Sequence, residues 1–227
     1  MVSDTRSTAG RVIRWAFRYD LLVWVASLGK ERAFREEQVD LARLEAGELV
    51  LDIGCGTGTL AVVAKHRVGP TGAVHGIDAS PEMIGRARKK AQRSGFDVVF
   101  ETAIAEALPF QDATFDAVLC TLVLHHLPKE ALRHCILEMR RVLKPGGRLL
   151  ALDIGGPQDK RRTLHARDAG AHHVGHDHFD LSTMPPLLSE CGLDEIEKGT
   201  VGFRLVRIGR LYYVLAAARA DLLPLSS

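Results

Sequence analysis

The sequence predicts an α/β fold built on a mostly parallel, doubly wound sheet, and three observations carry that reading. From Glu48 onward, short aliphatic or β-branched runs alternate with longer helical patterns, the signature of stacked β-α-β units. The stretch "VLDIGCGTGTLA", residues 50–61, turns through three glycines in five positions where a strand gives way to a helix. With 227 residues, 46% of them hydrophobic, the chain has the apolar material for one buried core and the length of a single domain.

The elements follow in order. Residues 1–46 read as a helical cap. Arg11, Arg14 and Arg18 precede the apolar run "LLVWVASL" of residues 21–28, which is too short to span a bilayer, a task for about 20 residues. A signal peptide is disfavoured because the amphipathic pattern continues through "ERAFREEQVDLARL" without a small-residue cleavage site. The core of residues 47–154 holds strands at 48–53, 73–78, 97–102, 115–121 and 147–153. Ser80 as cap, Pro81 at the first helical position and Glu82 at the positive end of the dipole mark a helix that Gly95 closes. A second helix, "KEALRHCILEMRRVL", ends in Arg140, Arg141 and Lys144, which read as a solvated, dipole-matched terminus.

Residues 155–180 are polar, rich in glycine and histidine, and read as an insertion or lid. Residues 181–227 give a short helix at "LSTMPPLLSEC", then runs at 194–208 and 211–218 separated by "GR". These read as a hairpin adding an antiparallel edge, for seven strands in all.

A formal charge of +2 supplies no field for nucleic acid. Cys55, Cys120, Cys135 and Cys191 form no C-x-x-C pair, so a reducing, cytoplasmic setting is expected.

In open α/β sheets, ligands sit outside the carboxyl ends of the strands. A dinucleotide loop wants G-x-G-x-x-G, but here Gly54, Gly56 and Gly58 are followed by Thr59 at the third glycine's place. Asp52 at the loop mouth would repel a pyrophosphate by a few kcal/mol at an effective dielectric of about 20. The same carboxylate attracts a cation, and Asp78, ending the next strand, stands where a carboxylate accepts from ribose hydroxyls. The pocket therefore suits a nucleoside that carries positive charge and no phosphate, such as S-adenosylmethionine.

"VLDIGCGTG", "GIDAS", "ALPF", "FDAVLCTLVLHHL" and "RVLKPGGRLL", in this order, resemble the class I S-adenosylmethionine-dependent methyltransferases. The N-terminal "YDLL" with "GPTG" and "LKPGG" is similar to their ubiquinone and menaquinone C-methyltransferase branch. The resemblance implies a Rossmann-like sheet and S-adenosylhomocysteine as product. It places Gly54, Cys55 and Gly56 against the methionine part, Asp52 near its ammonium and Asp78 on the ribose. It further places Ala79 and Met83 at adenine, Thr121 and Leu122 on the methionine side, and Tyr19 in the cap over the cofactor. Met83 reads equally as a core position. The family's G-D-A before "LPF" is replaced by Ala103, Ile104 and Ala105, and Ile104 accepts no adenine amino group. Backbone at Ile104 and Ala105, or the Glu106 carboxylate, is the substitute.

If the acceptor must lose a proton, His126 or His125, after the fourth strand, is the candidate base. His165, His172, His173, His176 and His178, with Asp177 and Asp180, match no metal spacing and read as solvated loop residues, so no metal is expected. Trp15, Phe17 and Trp24 give the cap an apolar surface suited to a small quinone or phenolic acceptor. A homodimer is compatible with this reading. The alternatives are a catalytically silent cofactor-binding scaffold and a nicotinamide-dependent oxidoreductase, the latter opposed by Asp52 and Thr59.

Overall fold

A computed structural model describes residues 31–154, 179–202 and 211–220. Tyr19 and the cap through residue 30, the histidines from His165 to His178, and the tip between the last two predicted strands lie outside the described residues.

Seven strands form one sheet in the order β3-β2-β1-β4-β5-β7-β6. They are β1 (Leu49–Ile53), β2 (Ala73–Asp78), β3 (Val99–Thr102), β4 (Phe115–Thr121), β5 (Leu143–Ile154), β6 (Leu193–Thr200) and β7 (Leu211–Ala218). The five strands β1 to β5 pair in parallel, and β7 runs antiparallel to both β5 and β6. β1 and β4 are apolar almost throughout and buried, as strands covered on both faces must be. β3 and β6 are the edges and are mostly exposed. β6 carries Asp194, Glu195, Glu197 and Lys198, charges that discourage pairing with another chain.

The helices are α1 (Glu31–Leu41), α2 (Thr59–Val68), α3 (Pro81–Ser94), α4 (Lys129–Val142) and α5 (Pro185–Glu190). Phe34 and Val39 of α1 join Leu60, Ala61 and Ala64 of α2 in the core on one sheet face. Cys135, Ile136 and Met139 of α4 fill the other. α3 starts and stops as its residues dictate: Ser80 Oγ accepts from the Met83 N–H, and Gly95, at φ 70°, returns its N–H to Ala91 and Gln92.

The last two strands add the expected antiparallel edge, with β7 lying between β5 and the outer strand β6. Three expectations are corrected. Thr200 lies opposite Tyr212, and the Val201 N–H donates to Leu211 O, a register incompatible with a two-residue turn at Gly209 and Arg210. Arg140, Arg141 and Lys144 are not a solvated terminus. Buried Arg140 donates to the carbonyls of Gly192 and Arg219, Arg141 to Leu108 O, Phe110 O, Asp112 and Glu138, and Lys144 to Asp116. Together they bolt α4 to the β6–β7 pair and to the loop before β4. β5 also begins at Leu143 rather than residue 147, with a register shift opposite Phe115 and Ala117.

The chain order reverses between β1, which leads outward to β2 and β3, and β4, which leads to β5. That reversal opens a crevice at the carboxyl ends of β1 and β4. Among the described residues no helix is long and apolar enough to cross a membrane.

Candidate functional site

The glycine loop between β1 and α2 lies in that crevice, and its conformation explains its composition. Gly54 and Gly56 have φ of 67° and 55°. A Cβ on Gly54 would overlap the Val123 side chain, so the loop after β4 presses on the loop after β1 at a point only glycine fits. Gly58, at φ 79°, precedes α2 and has Phe100 and Ala87 within 3 Å of where its Cβ would stand.

Asp52, Gly54, Cys55 and Thr121, four of the residues singled out in the sequence, line one pocket together with Glu31 and Arg35 of α1 and Thr57. Asp52 is 1% exposed, and its Oδ2 has no hydrogen-bond partner among the described residues. Burial raises its pKa to about 7, against the opposing charge of Arg35 and with further help from Asp78. Burial, with Asp52 and Asp78 nearby, also keeps the Cys55 thiol protonated.

Asp78 is held differently. One oxygen accepts the Gly56 N–H at 3.0 Å and the other the Ser80 N–H at 2.8 Å, tying the glycine loop to the start of α3. Burial raises its pKa, and those two N–H groups oppose the rise. The pocket is not uniformly negative: Arg35 faces it, and Lys90 of α3 donates to the hydroxyls of Thr57 and Thr59 at 2.8 and 2.6 Å.

Ala79 flanks Asp78, and Met83 is buried in the first turn of α3. The segment holding Ile104, Ala105 and Glu106 is brought to the end of β2 by the Ala103 N–H, which donates to Asp78 O at 3.2 Å. The Ile104 carbonyl accepts from the Ala107 N–H. Ala105 packs in the core, and Glu106 lies near Cys135 of α4, whose thiol burial and this carboxylate push up. Leu122, at φ 59°, is a strained non-glycine residue at the end of β4, fixed by its N–H to Leu152 O at 2.7 Å.

The 3₁₀ turn Leu124–His126 carries both candidate bases. His125 Nδ1 lies 2.6 Å from Oδ1 of Asp153, and its backbone N–H donates to Oδ2 at 3.2 Å. Asp153, at the carboxyl end of β5, is fully buried, whereas the His125 side chain is 23% exposed. The two imidazole centroids are 3.9 Å apart. The buried carboxylate thus orients His125. Asp180, grouped by sequence with the loop histidines, instead accepts from the Ser182 N–H and Oγ at a turn.

Sequence reasoning missed Arg35 and Asp153. Arg35 is marked by its place beside Phe34, with Gln38 and Val39 three and four residues on, a charge on the buried face of α1. Asp153 is the penultimate residue of β5, as Asp52 is of β1, while Asp78 closes β2.

A methyltransferase-domain family profile matches residues 50–147. The demethylmenaquinone methyltransferase of Thermus thermophilus is 41% identical over 140 residues, 62% of this chain and 62% of that protein. The ubiquinone/menaquinone biosynthesis C-methyltransferase of an Enterobacter species is 31% identical over 87% of this chain and 86% of its own length. The chain thus spans less than two thirds of the first of these relatives and most of the second. Magnesium protoporphyrin IX methyltransferase from Synechocystis, solved with bound S-adenosylhomocysteine, shares the fold at a TM-score of 0.70 and 20% identity, over 89% of this chain and 93% of that one.

Proposed function

The chain belongs to the class I S-adenosylmethionine-dependent methyltransferases, and on that premise we propose that it methylates a small, apolar, quinone-type acceptor at carbon. One observation carries the reading: a buried carboxylate oxygen of Asp52 without a partner among the described residues, in a pocket at the point where strand order reverses. A cationic ligand group is what such an oxygen lacks. The names of the Thermus and Enterobacter proteins supply the acceptor class and carbon as its methylated atom.

S-adenosylmethionine, when bound, supplies a methyl carbon already activated by its sulfonium. The protein's work is to hold the acceptor in line and keep water out. Asp52 would receive the ammonium, Gly54, Cys55 and Gly56 would lie along the methionine part, and Thr121 and Leu122 would close its side. Asp78 keeps lone pairs for the ribose after accepting its two N–H groups. Ala79 and Met83 would border adenine, with Ile104, Ala105 and Glu106 across from them, and Tyr19 would belong to the cap.

In carbon methylation of a quinol, loss of the hydroxyl proton pushes electron density to the ring carbon as it forms its bond to the methyl group and the methyl–sulfur bond breaks. The hydrogen on that carbon then leaves as a proton, and the hydroxyl is restored. Asp153 accepts the Nδ1 proton of His125, which leaves Nε2 with a free lone pair to take the hydroxyl proton. His125 is therefore the preferred base, and His126 supports it by ring contact. We place the whole chain in one methyltransferase unit, working in the cytoplasm without a metal.

The test is incubation with S-adenosylmethionine and a demethylated naphthoquinol. The expected result is S-adenosylhomocysteine together with a product heavier by one methylene, its new methyl on ring carbon. Absence of turnover with quinols and phenols alike refutes the reading.

A further inference from the structure

Tyr212 and Tyr213 are neighbours on β7, and the pleat sends them to opposite faces of the sheet. Tyr213 joins Leu211 and Leu215 in the core shared with α1 and α2, where its hydroxyl donates to Glu197. Tyr212 falls with Val214 and Ala216 on the face that α4 covers, and packs against that core. It is half-buried, yet its hydroxyl makes no hydrogen bond among the described residues. A tyrosine hydroxyl at such a depth usually has a partner.

The register sets Tyr212 directly opposite Asp153 of β5. Leu149 and Ala151 of β5 lie on the α4 face, so Asp153 projects there as well, its Cβ about 5 Å from that of Tyr212. Asp153 is the buried carboxylate that holds His125 at 2.6 Å. The order across this face is therefore the stacked His125 and His126 after β4, Asp153 on β5 and Tyr212 on β7. Buried Leu181, on the 3₁₀ turn Leu181–Thr183, and half-buried Phe179 add apolar surface to the same core. An imidazole that takes a proton thus stands on one side of Asp153, and an unengaged phenol that gives one stands on the other. A ring with a single oxygen engages one of them. A ring with two oxygens set across it engages both.

We propose that Tyr212 is an acceptor-binding residue, its hydroxyl donating to the second ring oxygen of a quinol whose first oxygen faces His125. This rests on the quinol-methylating reading. It makes the site a reader of two oxygens and gives the antiparallel strand β7 a part in substrate choice.

Anaerobic calorimetry on the full chain, saturated with S-adenosylhomocysteine so that no turnover occurs, tests the proposal with two probes. One is the unsubstituted naphthoquinol with its two para oxygens, the other α-naphthol, the same ring with one. The wild type is expected to prefer the quinol by about tenfold or more, the scale of one hydrogen bond to an otherwise unmet hydroxyl. Tyr212→Phe should weaken the quinol by that factor, change α-naphthol less than about threefold and leave S-adenosylhomocysteine affinity as it was. Equal weakening of both probes makes Tyr212 a packing residue and overturns the proposal, as does a preference that survives in Tyr212→Phe. So does a wild type that binds the two probes equally, a result that needs no variant to fold and leaves quinol methylation standing. If the wild type binds S-adenosylhomocysteine but neither probe, and methylates no quinol, the acceptor reading itself falls and takes the proposal with it.

Discussion

Replacing Asp52 by Asn should make the ligand-free protein more stable while making the cofactor bind worse, and the size of the first effect can be worked from the structure. Asp52 is 1% exposed, and its pKa rises from an ordinary 3.8 to about 7, burial being the main cause. A raised carboxylate means that the folded chain holds a proton which the unfolded chain releases. Stability is therefore full below pH 3.8, declines as pH rises toward 7, and is level beyond it. At about 1.4 kcal/mol per pH unit of separation, the total reaches about 4 kcal/mol. Asn is nearly isosteric and does not titrate. Urea unfolding of both proteins without cofactor, at pH 5, 7 and 8.5, isolates the effect, because the other titrating groups largely cancel in the difference. The variant should gain about 3 kcal/mol on the wild type between pH 5 and 8.5. A difference that stays constant across that range means that Asp52 titrates normally, and the account of a buried, unpaired carboxylate is wrong.

Three further outcomes are expected. Asp78→Ala removes the acceptor of the Gly56 and Ser80 N–H groups, so it should lower stability by about 2 to 4 kcal/mol as well as weakening the cofactor. Thermal denaturation with and without ligand reads both effects, and an unchanged melting temperature would show that these bonds hold nothing. Asp153→Asn should lower kcat by about 10²- to 10⁴-fold with little change in cofactor affinity, since the amide lets the His125 ring turn its proton toward the acceptor. His125→Asn should lower kcat by a similar factor with cofactor affinity unchanged, and a variant that keeps full kcat assigns the proton elsewhere.

What was legible in the sequence is what depends on neighbours along the chain. Apolar runs gave β1 and β4, and the cap at Ser80, Pro81 and Gly95 fixed α3 through bonds spanning a few residues. The insertion of β7 was hidden because alternation shows that two strands pair, not which of them meets β5. Arg140 looked like a dipole-matched end, a local inference. Its actual acceptors, Gly192 and Arg219, lie 52 and 79 positions away. Asp153 and His125 are 28 positions apart and meet only because β4 and β5 pair in parallel, with Thr121 beside Leu152. The acidic strand ends at Asp52 and Asp78 were readable, but not their difference. Asp78 takes N–H groups from Gly56 and Ser80 on its two oxygens, whereas Asp52 is met by the backbone of Ala61 and keeps Oδ2 unmet among the described residues, a contrast set by how the glycine loop folds back.

That difference divides the labour in the pocket. Asp78 spends two acceptor sites on the protein's own backbone, so its energy goes into the shape of the loop. Asp52 and Arg35 are buried, each with a polar atom unmet among the described residues, and an arriving ligand group would meet it. Elsewhere in the described fold buried or half-buried cations are spoken for: Arg140 by carbonyls, Arg141 by Glu138 and Asp112, Arg148 by Glu48. Among the described residues the charges at the sheet's periphery are satisfied and two opposite ones in the crevice are incomplete, and either lapse alone costs on the order of 1 to 3 kcal/mol. The strained backbone at Leu122 stands at the same crevice. Both features cost stability in the empty protein, and a ligand group that met these atoms would return it, so affinity and ligand-free stability are expected to be set by the same atoms and to oppose each other.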